Sequence, residues 1–178
     1  MFTQNISFKN FLIKKKKLVI KKNLNQILNE KNQVISSLSK SYKDSFNKKN
    51  TKYFNKKFDY RIIGMGGSTL GAQAIYDFLK KKIKKKFIFV DNLNSFKNKK
   101  VKKNLNNLII SKSGNTTETI VNANILIKKK DKNLFITEKK ESYLSLLAQK
   151  LKAEVVDHNN YIGGRYSVLS EVGMLPAE

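Results

Sequence analysis

Residues 58–71 read Phe58-Asp59-Tyr60-Arg61-Ile62-Ile63-Gly64-Met65-Gly66-Gly67-Ser68-Thr69-Leu70-Gly71. A short apolar run ends in glycines. A helical pattern follows, with Gly71, Ala74, Ile75 and Phe78 at the i, i+3, i+4, i+7 spacing. Strand, glycine turn and helix in that order open a βαβ unit, and the same alternation repeats to the end of the chain. Phe87–Val90, Leu108–Ser111, Leu134–Thr137 and Glu154–Val156 read as further strands. Between them lie a lysine-rich helix or loop at about 95–106 and a helix from Asn115 to Ile127 with Ile120, Ala123 and Ile127 on one side. A last helical stripe runs through Leu144, Leu147, Ala148 and Leu151. The strands are short and apolar on both faces, as in a parallel sheet covered on both sides by helices. The expected fold is therefore α/β: a doubly wound, about five-stranded parallel sheet, with its ligand beyond the carboxyl ends of the strands.

Working outward, the first 57 residues read as a basic helical segment, separate from the α/β domain of residues 58–178. Leu24, Ile27, Leu28, Ile35 and Leu38 fall near one helical face, and residues 40–57 read as a polar connector. The chain has 178 residues, 40% of them hydrophobic, enough for one domain with a real core. It has no cysteine, which excludes disulfides, iron–sulfur clusters and thiolate zinc sites, and its one histidine, His158, argues against a histidine-built metal site. The formal charge of +24 would suggest a polyanionic partner. Only two of the 37 basic residues are arginines, however, Arg61 and Arg165. Lysine, asparagine and isoleucine have AT-rich codons, so genome composition accounts for the skew. Readers of nucleic acid lean on arginine instead. No uncharged apolar run reaches the length of a membrane span, and the start lacks the apolar region of a secretory signal. The expectation is a cytoplasmic protein with neither a nucleic-acid nor a membrane partner.

Three loops can carry chemistry. After the first strand, Gly64–Gly71 lets backbone approach a ligand and places Ser68 where a helix begins. Its spacing fits neither the dinucleotide fingerprint nor the P-loop, and a glycine turn with a serine cap would also account for it. After the third strand, Ser111-Lys112-Ser113-Gly114-Asn115-Thr116-Thr117-Glu118-Thr119 gathers hydroxyls, a lysine and a glycine before a helix, a set suited to a phosphate monoester. An N-cap alone needs one or two hydroxyls. Thr119 is the member expected to be merely helical. After the fifth strand, Tyr161-Ile162-Gly163-Gly164-Arg165-Tyr166-Ser167 carries the second arginine of a lysine-rich chain, as expected where a planar, permanently charged fork is required. Arg61, at the start of a strand, reads as structural, and His158 reads as structural more readily than catalytic.

In these loops the sequence resembles the glucose-6-phosphate isomerase family: GMGGSTLGA (64–72), SKSGNTTET (111–119) and YIGGRYSVLSEVGMLPA (161–177). The first two segments are shared with the wider group of sugar-isomerase (SIS) domains, whereas the third is particular to phosphoglucose isomerases. The likeness covers about residues 58–178. It implies a sugar-isomerase subdomain that interconverts glucose 6-phosphate and fructose 6-phosphate in glycolysis and gluconeogenesis. By motif, Ser111, Lys112, Ser113 and Thr116 would hold the phosphate. Gly67, Ser68 and Gly164 would line the sugar side, and Arg165 would face the reacting carbons as the catalytic arginine. No metal or redox cofactor is implied. A homodimer is expected of the complete protein.

The family's glutamate, histidine and lysine for proton transfer and ring opening lie C-terminal to the GGR segment, beyond Glu178. The chain is therefore expected to be an N-terminal portion, inactive in isolation. Glu118 and Glu171 are the nearest acids to the motifs. A non-catalytic sugar-phosphate-binding module of the same fold is the alternative, and a basic nucleic-acid-associated protein is a more remote one.

Overall fold

The computed structural model describes residues 18–30, 32–53, 59–93 and 105–178. The described residues open with three helices, α1 (Leu18–Asn29), α2 (Gln33–Ser36) and α3 (Lys48–Tyr53). The α/β part follows as β1 (Asp59–Ile63), α4 (Gly67–Leu79), β2 (Phe87–Val90), β3 (Leu105–Ile110), α5 (Thr117–Leu126), β4 (Lys132–Thr137), α6 (Tyr143–Leu151) and β5 (Glu154–Asp157). A 3-10 helix over Gly164–Leu169 and α7 (Glu171–Ala177) close it. No helix among the described residues is long and apolar enough to cross a membrane.

All five strands are parallel, in the order β2-β1-β3-β4-β5. The expected doubly wound sheet is thus the observed one. Side chains alternate across it. Tyr60, Ile62, Leu108, Ile110, Leu134 and Ile136 pack with Ala72 of α4 and with Val172 and Leu175 of α7. Ile63, Ile109 and Phe135 pack on the other face with Ala123 of α5 and with Leu144 and Ala148 of α6. This two-sided burial is what made the strands read as unbroken apolar runs. The helix α6 begins at a capping box, in which Ser142 Oγ accepts from Ser145 N–H and Ser145 Oγ accepts from Ser142 N–H.

Four local expectations need amending. β3 starts at Leu105, three residues before the apolar run, with Asn106 and Asn107 buried in it. Two asparagines are poor strand formers, but Asn107 donates to Asn133 Oδ1 on β4 at 2.8 Å, a side-chain rung that suits the sheet interior. Residues 95–104 and Phe58 lie outside the described residues. The buried face of α4 runs through Thr69 and Ala72, while Phe78 stands 87% exposed. The N-terminal stripe is split between α1 and α2, because the Asn32 side chain accepts from Val34 N–H and starts a new helix. Neither helix buries a residue. The polar connector contains the short helix α3, and Asn50 of it donates to Glu154 Oε1 of β5 at 2.8 Å.

Arg61 is structural, as expected. It is buried and donates through Nη1 to the carbonyl of Leu126, at the carboxyl end of α5, at 3.0 Å. Burial pulls its pKa below the ordinary guanidinium value, against the attraction of Asp131. Arg61→Leu should lower the melting temperature by about 2–12 °C, the loss of a buried charged donor at ~1–3 kcal/mol in a chain of this size. Calorimetry at neutral pH checks it.

Candidate functional site

In the order β2-β1-β3-β4-β5 the winding direction reverses between β1 and β3. Sheets of this kind take their ligands at such a reversal, beyond the carboxyl ends of the strands. The register pairs Ile63 with Ile109, so the glycine loop after β1 and the hydroxyl loop after β3 leave the sheet side by side. The arginine loop follows β5, two strands farther along the same edge.

Side chains tie the three loops into one surface. Ser167 Oγ lies 2.7 Å from Gly164 O and 3.3 Å from Gly67 O, so its single hydrogen serves the arginine loop and the glycine loop. A Cβ placed on Gly67 would lie 2.0 Å from Gly164 O. That approach is open only to glycine, and it is why the two loops can touch. Lys112 Nζ donates to the carbonyl of Asn160 at 2.6 Å, which joins the hydroxyl loop to the base of the arginine loop. The same ammonium lies 3.6 Å from Glu138. Burial alone would raise the pKa of Glu138, but Lys140 and Lys112 hold it below the ordinary carboxylate range.

Within the hydroxyl loop, Ser111 and Thr116 share a hydrogen bond of 2.9 Å, with Ser111 buried and Thr116 half-buried. Ser113 Oγ is exposed and accepts from Asn115 N–H at 3.2 Å. Gly114, at φ +68, turns the chain here. Its carbonyl accepts from Leu144 N–H, and Asn115 Oδ1 accepts from Tyr143 N–H at 2.9 Å, so the loop also starts α6. Thr116 is the N-cap of α5, and the first intrahelical donor is Ile120 N–H to Thr116 O. The N–H groups of residues 117–119 are the orphan donors of a helix start, at its positive dipole end.

The other sequence-derived residues fall as follows. Gly67 and Ser68 form the first turn of α4, both half-buried. Gly164 and Arg165 are exposed at the start of the 3-10 helix. Thr119 is wholly buried on the inner side of α5, in keeping with a helical rather than a ligand role. His158 is buried at the end of β5, with its Nδ1 on the Glu171 carboxylate. Tyr42 was missed altogether. It lies in the connector, 129 residues before Glu171, and donates to that carboxylate at 3.5 Å. Nothing in its polar surroundings marks it in the sequence. Among the described residues no group of three or more histidine, aspartate or glutamate side chains could hold a metal ion. Two cavities are seen elsewhere: a small apolar one between α4, α7 and the sheet, and one at the opposite strand ends lined by Lys129, Asp131 and Glu154. Neither coincides with the three loops.

The family model that matches the chain is described as phosphoglucose isomerase and spans residues 4–178. It therefore reaches through the N-terminal segment, where the sequence reading found no motif. Two curated relatives named glucose-6-phosphate isomerase are similar. That of Acholeplasma laidlawii is 38% identical over 65% of this chain and 32% of its own length. That of Methanocaldococcus jannaschii is 40% identical over 65% of this chain and 31% of its own length. The chain thus spans about a third of the length of these relatives. Among solved structures, a hypothetical protein of Thermus thermophilus superposes with a TM-score of 0.62 at 21% identity, covering 82% of this chain and 41% of that one. The NanR protein of Vibrio vulnificus, complexed with ManNAc-6P, superposes with a TM-score of 0.53 at 20% identity, covering 74% of this chain and 52% of that one.

Proposed function

This chain belongs to the phosphoglucose isomerase family, and on that premise we propose that its three tied loops hold a hexose 6-phosphate for aldose–ketose isomerisation. The observation that carries the reading is the meeting of the arginine loop with the glycine loop through Ser167 and Gly67, beside the hydroxyl loop. Ser113, Thr116 and the N–H groups at the start of α5 form the phosphate cradle. Ser111 buttresses Thr116, and Lys112 supplies positive charge while fixing the arginine loop. Gly67, Ser68 and Gly164 line the sugar side. The reaction removes a proton from the carbon beside a carbonyl and places negative charge on enediolate oxygens. Arg165, on the loop tied to the glycine loop, is the group to stabilise that charge with its guanidinium. Holding the distant phosphate keeps C1 and C2 against it. We assign the general base to none of these 178 residues: Glu171 is wholly buried and bonded, and Glu118 belongs to the phosphate helix. The setting we propose is cytoplasmic glycolysis and gluconeogenesis, with a homodimer as the working unit.

Titration calorimetry of the chain with fructose 6-phosphate, and with an aldonate 5-phosphate that mimics the enediolate, tests the reading. Both should bind, in competition with inorganic phosphate and more weakly as salt screens the +24 charge. Thr116→Val should weaken both about tenfold, the worth of one hydrogen bond to a charged group. Arg165→Ala should weaken the aldonate about a hundredfold and fructose 6-phosphate far less, as expected of a group aimed at transition-state charge. A non-catalytic sugar-phosphate module, the reading that the complexed NanR protein favours, would lose affinity for the two ligands equally.

A further inference from the structure

We propose that the Glu171 carboxylate is the positioning group for Arg165, acting as a clamp at the neck of the loop that carries it. The inference rests on the reading of Arg165 as the residue facing substrate. The segment from Asn159 to Glu171 leaves the end of β5 and returns to the first residue of α7, with Arg165 midway along it. Its two ends meet at a single oxygen: Glu171 Oε1 accepts from Asn159 N–H at 3.2 Å and contacts His158 Nδ1. The other oxygen takes Tyr42 O–H at 3.5 Å, and Asn159 Nδ2 donates to that same phenol at 2.9 Å. His158 N–H donates in turn to Thr137 O at the end of β4. The neck is thereby fastened to two strand ends and to the connector. The crown is fastened to the glycine loop, by Ser167 and by the close fit of Gly164 on Gly67. A compact loop held at neck and crown has one height above the sheet, and that height sets where the guanidinium stands.

Glu171 has 0% exposure. A buried carboxylate is a poor device for stability alone, because a well-packed apolar side chain does as well. The carboxylate stands at one end of the functional loop and takes donors from His158 and Asn159 at the other, which is the arrangement a positioning role requires. The group touches no substrate and acts through Arg165.

The test is a double-mutant cycle. Glu171→Gln keeps the shape and removes the charge. His158→Gln is the milder second variant, should the first fold poorly. In the otherwise unaltered chain, Glu171→Gln should weaken the aldonate 5-phosphate about tenfold. In an Arg165→Ala background it should have no further effect. Amide exchange at Tyr166 and Ser170, which donate to Gly163 O and Ser167 O, should quicken about tenfold, while Ser111 N–H in the sheet keeps its protection. His158→Gln should move the same readouts in the same direction by less. Equal losses in both backgrounds, or unchanged exchange, would overturn the positioning role and leave the site standing. A parent chain that binds neither sugar phosphate would overturn the site and this inference together.

Discussion

Replacing Gly67 by alanine should cost binding of hexose phosphate by at least about tenfold and lower the melting temperature by about 2–12 °C. The added methyl would lie 2.0 Å from Gly164 O and 3.1 Å from Arg165 N, both backbone atoms. No rotamer change relieves such a clash, so α4 and the 3-10 helix must part. Ser167 Oγ then loses Gly67 O, and the loop that carries Arg165 is moved away from the glycine loop. Overpacking of this kind costs roughly 1–3 kcal/mol. Binding suffers as well as folding because a displacement of about 1 Å at a site is costly out of proportion to its strain. Calorimetric titration and thermal melts on one preparation separate the two. Unaltered fructose 6-phosphate affinity in a folded Gly67→Ala chain would mean that the two loops do not act together.

The second large effect is expected from Glu171→Ala. Truncation removes the acceptor for buried His158 and for half-buried Asn159 and Tyr42. Breaking a buried pair from one side costs roughly 3–5 kcal/mol, about 6–20 °C in a chain of this size. The loss should depend on pH in a definite sense. Burial on its own would raise the Glu171 pKa, but the hydrogen bonds from His158 and the backbone and the attraction of His158 hold it below the ordinary carboxylate value of 4.5. A depressed folded-state pKa contributes stability above the unfolded value and loses it as pH falls through the folded one. The gap between the parent chain and Glu171→Ala should therefore be full at pH 7 and shrink as the solution is acidified below about pH 4. Tyr42 titrates far from this window, since burial, with help from Glu171, pushes its phenol up to about 12. A gap that widens in acid would refute the assignment of the bonded, charged carboxylate.

The glycine and hydroxyl loops were legible in the sequence because their chemistry is local. Positive φ at Gly114, close approach at Gly67 and a hydroxyl run before a helix all leave marks within ten residues. The strands were legible where burial on two sides makes both faces apolar. β3 was cut short because Asn106 and Asn107 are polar, and only the partner strand, through Asn133, makes Asn107 at home there. The face of α4 was misjudged because Gly71, which packs on Val168, was read with Phe78, whereas the sheet receives Thr69 and Ala72. Glu171 was noticed only as a nearby acid and Tyr42 not at all. Their meeting is a contact across 129 residues, and no local pattern encodes it.

That separation bears on the order in which the protein acquires its parts. The contact of Ser167 with Gly67 closes a span of 100 residues. Contacts of such range carry a large loop-closure entropy and form after local ones. A chain emerging from the ribosome has made β1, β3 and the phosphate helix well before residue 164 is available to meet residue 67. The hydroxyl loop is thus an earlier product of synthesis than the arginine loop. In the folded protein the same asymmetry holds: parting Ser167 from Gly67 frees the arginine loop while the hydroxyl loop keeps its bonds to the sheet and to α6.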